Sequence, residues 1–141
     1  MIEHNNFGLI HNYNRHRIEY FDLHEICQGC PEVGKIRLDG NSIENYRFGG
    51  PPLFWDNAVF LPLYYKKDGF QPCLIDLQTT QIKIYPKHFG LVLLKSANSE
   101  KMEFFEDLHN TSLITVSIEQ FVDESPIKNR KGCARFLSRY N

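Results

Sequence analysis

"FGGPPLFWDNAVFLPLYYKKDGFQPCLIDLQTTQIKIY", residues 48–85, decides the fold. Its apolar runs have the length of strands and are rich in Phe, Tyr, Leu and Ile, which favour a pleated, half-buried surface. Between them stand Gly-Gly-Pro-Pro, Lys-Lys-Asp-Gly and Gln-Thr-Thr, all strand-ending chemistry. Prolines cannot donate to a ladder and glycines weaken one, so residues 49–52 break the chain. Pro62 lies inside the run "NAVFLPLYY", which predicts an edge strand or a bulge. In "QIKIY", Ile82 and Ile84 share one face and Lys83 takes the other, the period of a strand.

The same pattern extends in both directions. In "VGKIRLDG", Ile36 and Leu38 alternate with Lys35 and Arg37, and Asp39-Gly40-Asn41 forms a hairpin turn to "SIENYRF". Upstream, residues 7–10 and 17–21 are strand-sized and form a hairpin around the polar "HNYNRH". "DLHEICQGCP" is a short helical turn or a loop. Downstream, "HFGLVLLK" reads as buried on both faces, "SANSE" as a turn, and "KMEFFED" and "SLITVSI" as strands. Ser117 then caps a short helix, "IEQFVDE", with Glu119 and Glu124 exposed and Phe121 and Val122 inside. The tail "KGCARFLSRY" carries a short, helix-like apolar pattern. Eight to ten short strands at roughly 8–12-residue spacing predict a mainly β, antiparallel sandwich or partly open barrel with one or two short helices. No long helix separates the strands, as a parallel sheet requires. A chain of 141 residues is the size of one domain, so residues 1–141 are read as a single unit able to bury its own core.

Composition is that of a globular chain, with 42% hydrophobic, 23% charged and 13% aromatic residues. The formal charge of −1 excludes a polyanion binder acting through bulk charge. The charge is segregated. Residues 98–126 hold seven acids against Lys101, and residues 128–141 hold five bases and no acid. The two segments either neutralise each other or form two partner-binding faces. No apolar run reaches the roughly 18 residues of a membrane span, and the N-terminus lacks the pattern of a signal peptide. A cytoplasmic location is therefore expected, with Cys27, Cys30, Cys73 and Cys133 reduced and Cys73 a small buried hydrophobe.

Few residues suggest chemistry. "HEICQGC" sets His24, Cys27 and Cys30 at a spacing that suits zinc, but a second Cys pair is missing. The same Cys pair lacks the βαβ setting of a redox couple. His11, Arg15 and His16 lie together in "HNYNRHR", the residue types of an RNase-like site, yet also those of a polar turn. No phosphate-cradling glycine loop, nucleophile elbow or zinc-protease motif is present. The basic tail, with Phe136 and Tyr140, has the ingredients of an RNA contact and also those of a solvated segment. Trp55 either closes the core or stands at a loop as an anchor for a partner.

Residues 53–105, with a displayed aromatic strand, a lysine-rich turn, an apolar strand ending Ile-Asp-Leu and an alternating strand, resemble small β-rich immunity proteins of bacterial contact-dependent growth inhibition and related polymorphic toxin systems. The resemblance implies a cytoplasmic binder that forms a 1:1 complex with one cognate toxin domain, often a nuclease. Such a binder masks the toxin's active site, carries no catalytic residue and needs no cofactor, membrane or direct nucleic-acid contact. A nuclease cleft is basic because it binds a polyanion, and carboxylates with aromatics can compete for it. Glu103, Glu106, Asp107, Asp123 and Glu124, with Trp55 and Tyr65, are the residues expected at that interface. The alternatives are a small enzyme or RNA-processing factor using the N-terminal histidines, and a zinc-stabilised β-module.

Overall fold

The computed structural model describes residues 8–28, 31–65 and 68–124. Among these residues twelve strands form two antiparallel sheets. The larger contains β1 (Ile10–Tyr13), β2 (His16–Glu25), β3 (Glu32–Leu38), β4 (Asn41–Phe48), β5 (Leu53–Trp55), β6 (Ala58–Tyr65), β7 (Gly69–Asp76), β8 (Ile82–Ile84) and β12 (Val122–Glu124). The smaller contains β9 (Leu93–Ala97), β10 (Lys101–Phe105) and β11 (Leu113–Ser117), in the order β11-β10-β9. The mainly β, antiparallel expectation holds, with more strands than predicted. Among the described residues no helix is long and apolar enough to cross a membrane.

The N-terminal hairpin is tighter than expected. Asn14 and Arg15 both take positive φ, 48° and 69°, which closes a two-residue turn. "HNY" therefore joins β1, and β2 runs on to Glu25 in place of a loop or helical turn. The predicted Asp39-Gly40 turn is present, with φ of 54° and 87°.

Pro62 lies in an interior strand, not at an edge. β6 pairs along its whole length with β7, and its other side is shared by β4 and β5. Arg47 and Phe48 face Tyr64 and Leu63, then Leu53, Phe54 and Trp55 face Phe60, Val59 and Ala58. β4 and β5 are thus one strand interrupted by Gly-Gly-Pro-Pro. Pro62 stands directly opposite Pro72. The two carbonyls point apart, Pro62 accepting from Gly49 N–H at 2.9 Å and Pro72 from Tyr85 N–H at 2.9 Å. Each missing N–H falls where a neighbouring strand is interrupted or has ended, so neither proline removes a regular ladder bond.

The β6–β7 hairpin is buried on both faces. Val59, Leu61, Leu63, Cys73 and Ile75 join Ile18, Tyr20, Ile36, Phe48 and Ile84 in the first core. The sheet coils around that core: the Tyr13 ring stacks on Phe54 at 4.7 Å, and the Tyr46 hydroxyl donates to Glu124 at 2.9 Å. The barrel stays open, because β1 and β12 end the strand order without pairing. On the other face Phe60, Phe70 and Leu74 pack with Phe89, Val92, Met102, Phe104 and Val116, so the small sheet covers the back of the hairpin. Of the "HFGLVLLK" segment only Phe89 and Val92 are buried, and Leu93 and Leu94 are half-buried.

The predicted helix after Ser117 is a single 3-10 turn, Ile118–Gln120, followed by β12. Strand alternation reverses two expectations there. Val122 is exposed and Glu124 is buried, whereas Phe121 is buried and Glu119 exposed as predicted. The basic tail, Cys30 and Cys133 lie outside the described residues.

Gly69 and Gly40 share a φ of +87°, but a Cβ on Gly69 would lie 2.3 Å from the Phe89 carbonyl oxygen while one on Gly40 meets nothing within 4 Å. Gly40→Ala should therefore cost about 1 kcal/mol, the left-handed backbone penalty alone. Gly69→Ala should cost roughly 3 kcal/mol or more, because backbone must also move. Urea unfolding of the two variants checks this, and equal losses would refute the steric part.

Candidate partner-binding surfaces

The outer face of the small sheet carries an apolar row. Phe105 is directly opposed by Leu113 on one side and Leu93 on the other, so the three share a face. Phe104, opposed by Ile114 and Leu94, occupies the inner face and is fully buried. Leu113 is 44% exposed, and at the same end of the sheet Leu108 is 45% exposed in the β10–β11 loop. Exposed apolar side chains in a row, rimmed by polar groups, mark a contact surface more often than scattered ones do.

The loop that presents them is locked by its own acids. Asp107 accepts from Thr111 N–H at 3.0 Å, from the Thr111 hydroxyl and from Ser112 N–H at 3.0 Å. The Ser112 hydroxyl donates to Glu106. A short acidic side chain that bonds backbone a few residues on substitutes for a regular turn. The Thr111 hydroxyl, then Ser112 N–H, hold the Asp107 carboxyl below the usual range. Glu103, one row from Phe105, accepts from the Ser96 hydroxyl at 2.7 Å and lies 3.8 Å from both Lys95 and Lys101. The Ser96 bond and then the two ammonium groups lower its pKa.

The predicted interface residues are therefore divided. Glu103, Glu106 and Asp107 lie on or beside the small sheet, though each is partly spent on internal bonds. Asp123 is exposed on β12 of the other sheet, paired in register with Lys83. Glu124 is a correction: only 3% of it is exposed, because β12 turns that position into the first core, where it accepts from Tyr46. Burial and the Glu124 charge push the Tyr46 phenol well above its ordinary range. Trp55 is 41% exposed beside the β5–β6 turn. Tyr65 packs against the first core and meets His88 edge-on at 5.1 Å.

A second surface was not foreseen. The β2–β3 register shifts between Phe21 and His24, and the β3–β4 register shifts between Gly34 and Ile36. Asp22 and Asn45, in the extra segments, have φ of 54° and 75°. Such bulges re-aim side chains. Here they open a groove of about 680 Å³ between the end of β2, β3, β4 and Tyr64. At its wall Arg47 donates to the Asp22 carbonyl at 2.6 Å and to the Asp22 carboxylate at 2.7 Å, and His24 lies 3.2 Å from the same carboxylate. The Arg47 hydrogen bond is the main cause of the lowered Asp22 pKa. No sequence signal marks this groove, since both bulges sit inside ordinary alternating segments.

The histidines do not converge among the described residues. His11 bonds the Gly8 carbonyl, His16 the Asp39 carboxylate and His24 Asp22. Cys27 is disulfide-bonded, against the expectation of reduced thiols, and so is not a thiolate ligand beside His24. Cys73 is free and fully buried, and burial pushes its thiol pKa up. Among the described residues no group of three or more His, Cys, Asp or Glu side chains is placed to hold a metal ion.

A carboxylate held below its unfolded pKa of about 4 stabilises the fold above that pH, and the contribution is lost as pH falls through the lower folded value. Asp107→Asn should therefore lower Tm at pH 7, and the gap from the parent should close as the pH is taken toward 2. Thermal melts across that range test it; a gap independent of pH would show that the charge contributes nothing. Comparison with protein-family models, with curated proteins and with solved structures gives no match.

Proposed function

We propose that this chain is a binding protein that neutralises a protein partner, the partner being a cognate toxin domain with a basic, nucleic-acid-binding cleft. The observation that carries the binding role is the row Leu93–Phe105–Leu113, displayed on the outer face of the small sheet beside a loop that its own acids hold in shape. The toxin class comes from the resemblance of residues 53–105 to immunity proteins and from the acids at the rim of the row. Residues of this kind divide the work. A pre-ordered apolar centre excludes water and sets the lifetime of a complex, and surrounding carboxylates speed encounter with a basic surface. Glu106 and Asp107 take the second role and also order the loop, since the bonds that hold it leave their charge in place. Glu124 has no part in the interface, being buried.

Co-expression with the C-terminal domain encoded immediately upstream tests the reading. Growth arrest by that domain, relieved by this chain in a 1:1 complex, is the expected result. Leu113→Asp should weaken the complex about tenfold or more, since a buried anchor is commonly worth more than 1 kcal/mol. Its Tm should change little, because Leu113 is exposed in the free protein. Reversing the charge at Glu106 and Asp107 together should slow association most at low salt. A domain without toxicity, or toxicity that this chain leaves untouched, overturns the proposal.

A further inference from the structure

The small sheet has an unguarded edge. β11 ends the order β11-β10-β9, so one of its sides is unpaired among the described residues. On its paired side the Glu106 N–H donates to the Ser112 carbonyl at 3.0 Å, and the Ile118 N–H to the Glu100 carbonyl at 2.9 Å. Bonded positions alternate along an antiparallel pair, so Ile114 and Val116 also bond β10. Leu113, Thr115 and Ser117 therefore direct their N–H and C=O groups off the sheet. Such an edge pairs with another extended chain unless a charge, a proline, a bulge or a cover blocks it. Leu-Ile-Thr-Val-Ser carries no charge and no proline, pairs with β10 without a register shift, and leaves Leu113 and Thr115 exposed.

Acids stand at both ends of this edge. Glu106 and Asp107 adjoin Ser112, while Glu100 and Glu119, both exposed, flank Ile118. Lys101, across from Ser117, lies 3.8 Å from Glu103. Two-fold pairing with a second copy brings the Leu113 end of one β11 to the Ser117 end of the other, acid against acid, and repulsion opposes it. The edge instead fits an extended segment with an uncharged middle and a base at each end. This chain contains one, Arg135-Phe136-Leu137-Ser138-Arg139, within residues 128–141, which hold five bases and no acid. Reach is no obstacle. β12 follows β11 after only the turn Ile118–Gln120 and Phe121. Residues 125–141 can span up to about 55 Å, against roughly 17 Å for a five-residue strand. The tether supplies an effective concentration on the order of millimolar.

We propose that Arg135–Arg139 of this chain's own basic tail pairs with the edge of β11 and shields it from other chains. Main-chain bonds to Leu113, Thr115 and Ser117 hold the contact, and the two arginines meet the two acidic ends. The contact uses the edge of the small sheet and not its outer face, and it depends on no partner.

Amide hydrogen exchange in the full chain tests it. Leu113, Thr115 and Ser117 should be protected, as Ile114 and Val116 are, at every protein concentration. Arg135→Glu with Arg139→Glu should speed exchange at those three amides about fivefold at low salt, the effect of two exposed ion pairs. Ile114 and Val116 should be unaffected, which shows that the sheet itself is intact. Glu100→Lys with Glu119→Lys should act in the same direction from the other side of the contact. Unprotected exchange at Leu113, Thr115 and Ser117 in the parent chain would overturn the proposal. So would protection that survives reversal of both arginines, or protection that grows with protein concentration and so marks a second copy.

Discussion

A hairpin with apolar side chains on both faces has only one stable place, between two layers. Ala58–Tyr65 and Gly69–Asp76 form that hairpin, and the rest of the structure follows from covering it. One face needs a coiled sheet, because a flat one would leave Leu61, Leu63 and Ile75 against water. The other face needs a separate lid, which β9, β10 and β11 supply. Burial of a Leu, Ile or Phe side chain is worth roughly 1.5–3 kcal/mol, so two-sided coverage of this pair outweighs the loss of regularity elsewhere. The Gly-Gly-Pro-Pro interruption and the Pro62–Pro72 pair are irregularities of that kind. They sit where the ladder is already broken and therefore cost little.

The displayed row lies where the core makes few demands. On the outer face of the small sheet Leu113 is exposed and Phe105 and Leu93 are only half-buried. Their position costs hydrophobic free energy that a partner can recover. The loop beside them spends its carboxylates on Thr111 and Ser112 N–H groups, which lowers the entropy that binding would otherwise have to remove. In the larger sheet, paired bulges in β2 and β4 turn a plain sheet surface into a groove. The Arg47–Asp22 bond braces the bulged segment, and being partly exposed it orders geometry more than it adds stability.

The two surfaces differ in kind. The first is apolar with an acidic margin. The second is a groove of mixed charge, lined by Glu25, Lys35, Glu44 and Arg47. The first uses no histidine and the second has only His24 at its wall; the bonds of His11, His16 and His24 to Gly8, Asp39 and Asp22 tie turns and strand ends.

Alternation and turn residues were enough to read most of the fold. Lys35/Ile36/Arg37/Leu38, the Asp39-Gly40 turn and the Ile82/Lys83/Ile84 pattern are local signals, because side-chain direction in a strand has period two and left-handed turns favour Gly, Asn and Asp. The acidic segment was legible as well, though its use in bracing a loop was not. Tertiary structure decided the rest. "IEQFVDE" fits a helix or a turn and strand equally by composition, and pairing with β8 chose the strand, turning Glu124 inward and Val122 outward. The row Leu93–Phe105–Leu113 joins residues distant in sequence. It exists only through register, and register is set by which strands meet and where they bulge. A single strand's pattern says which residues share a face; only packing against its neighbours says which face is covered and what stands opposite.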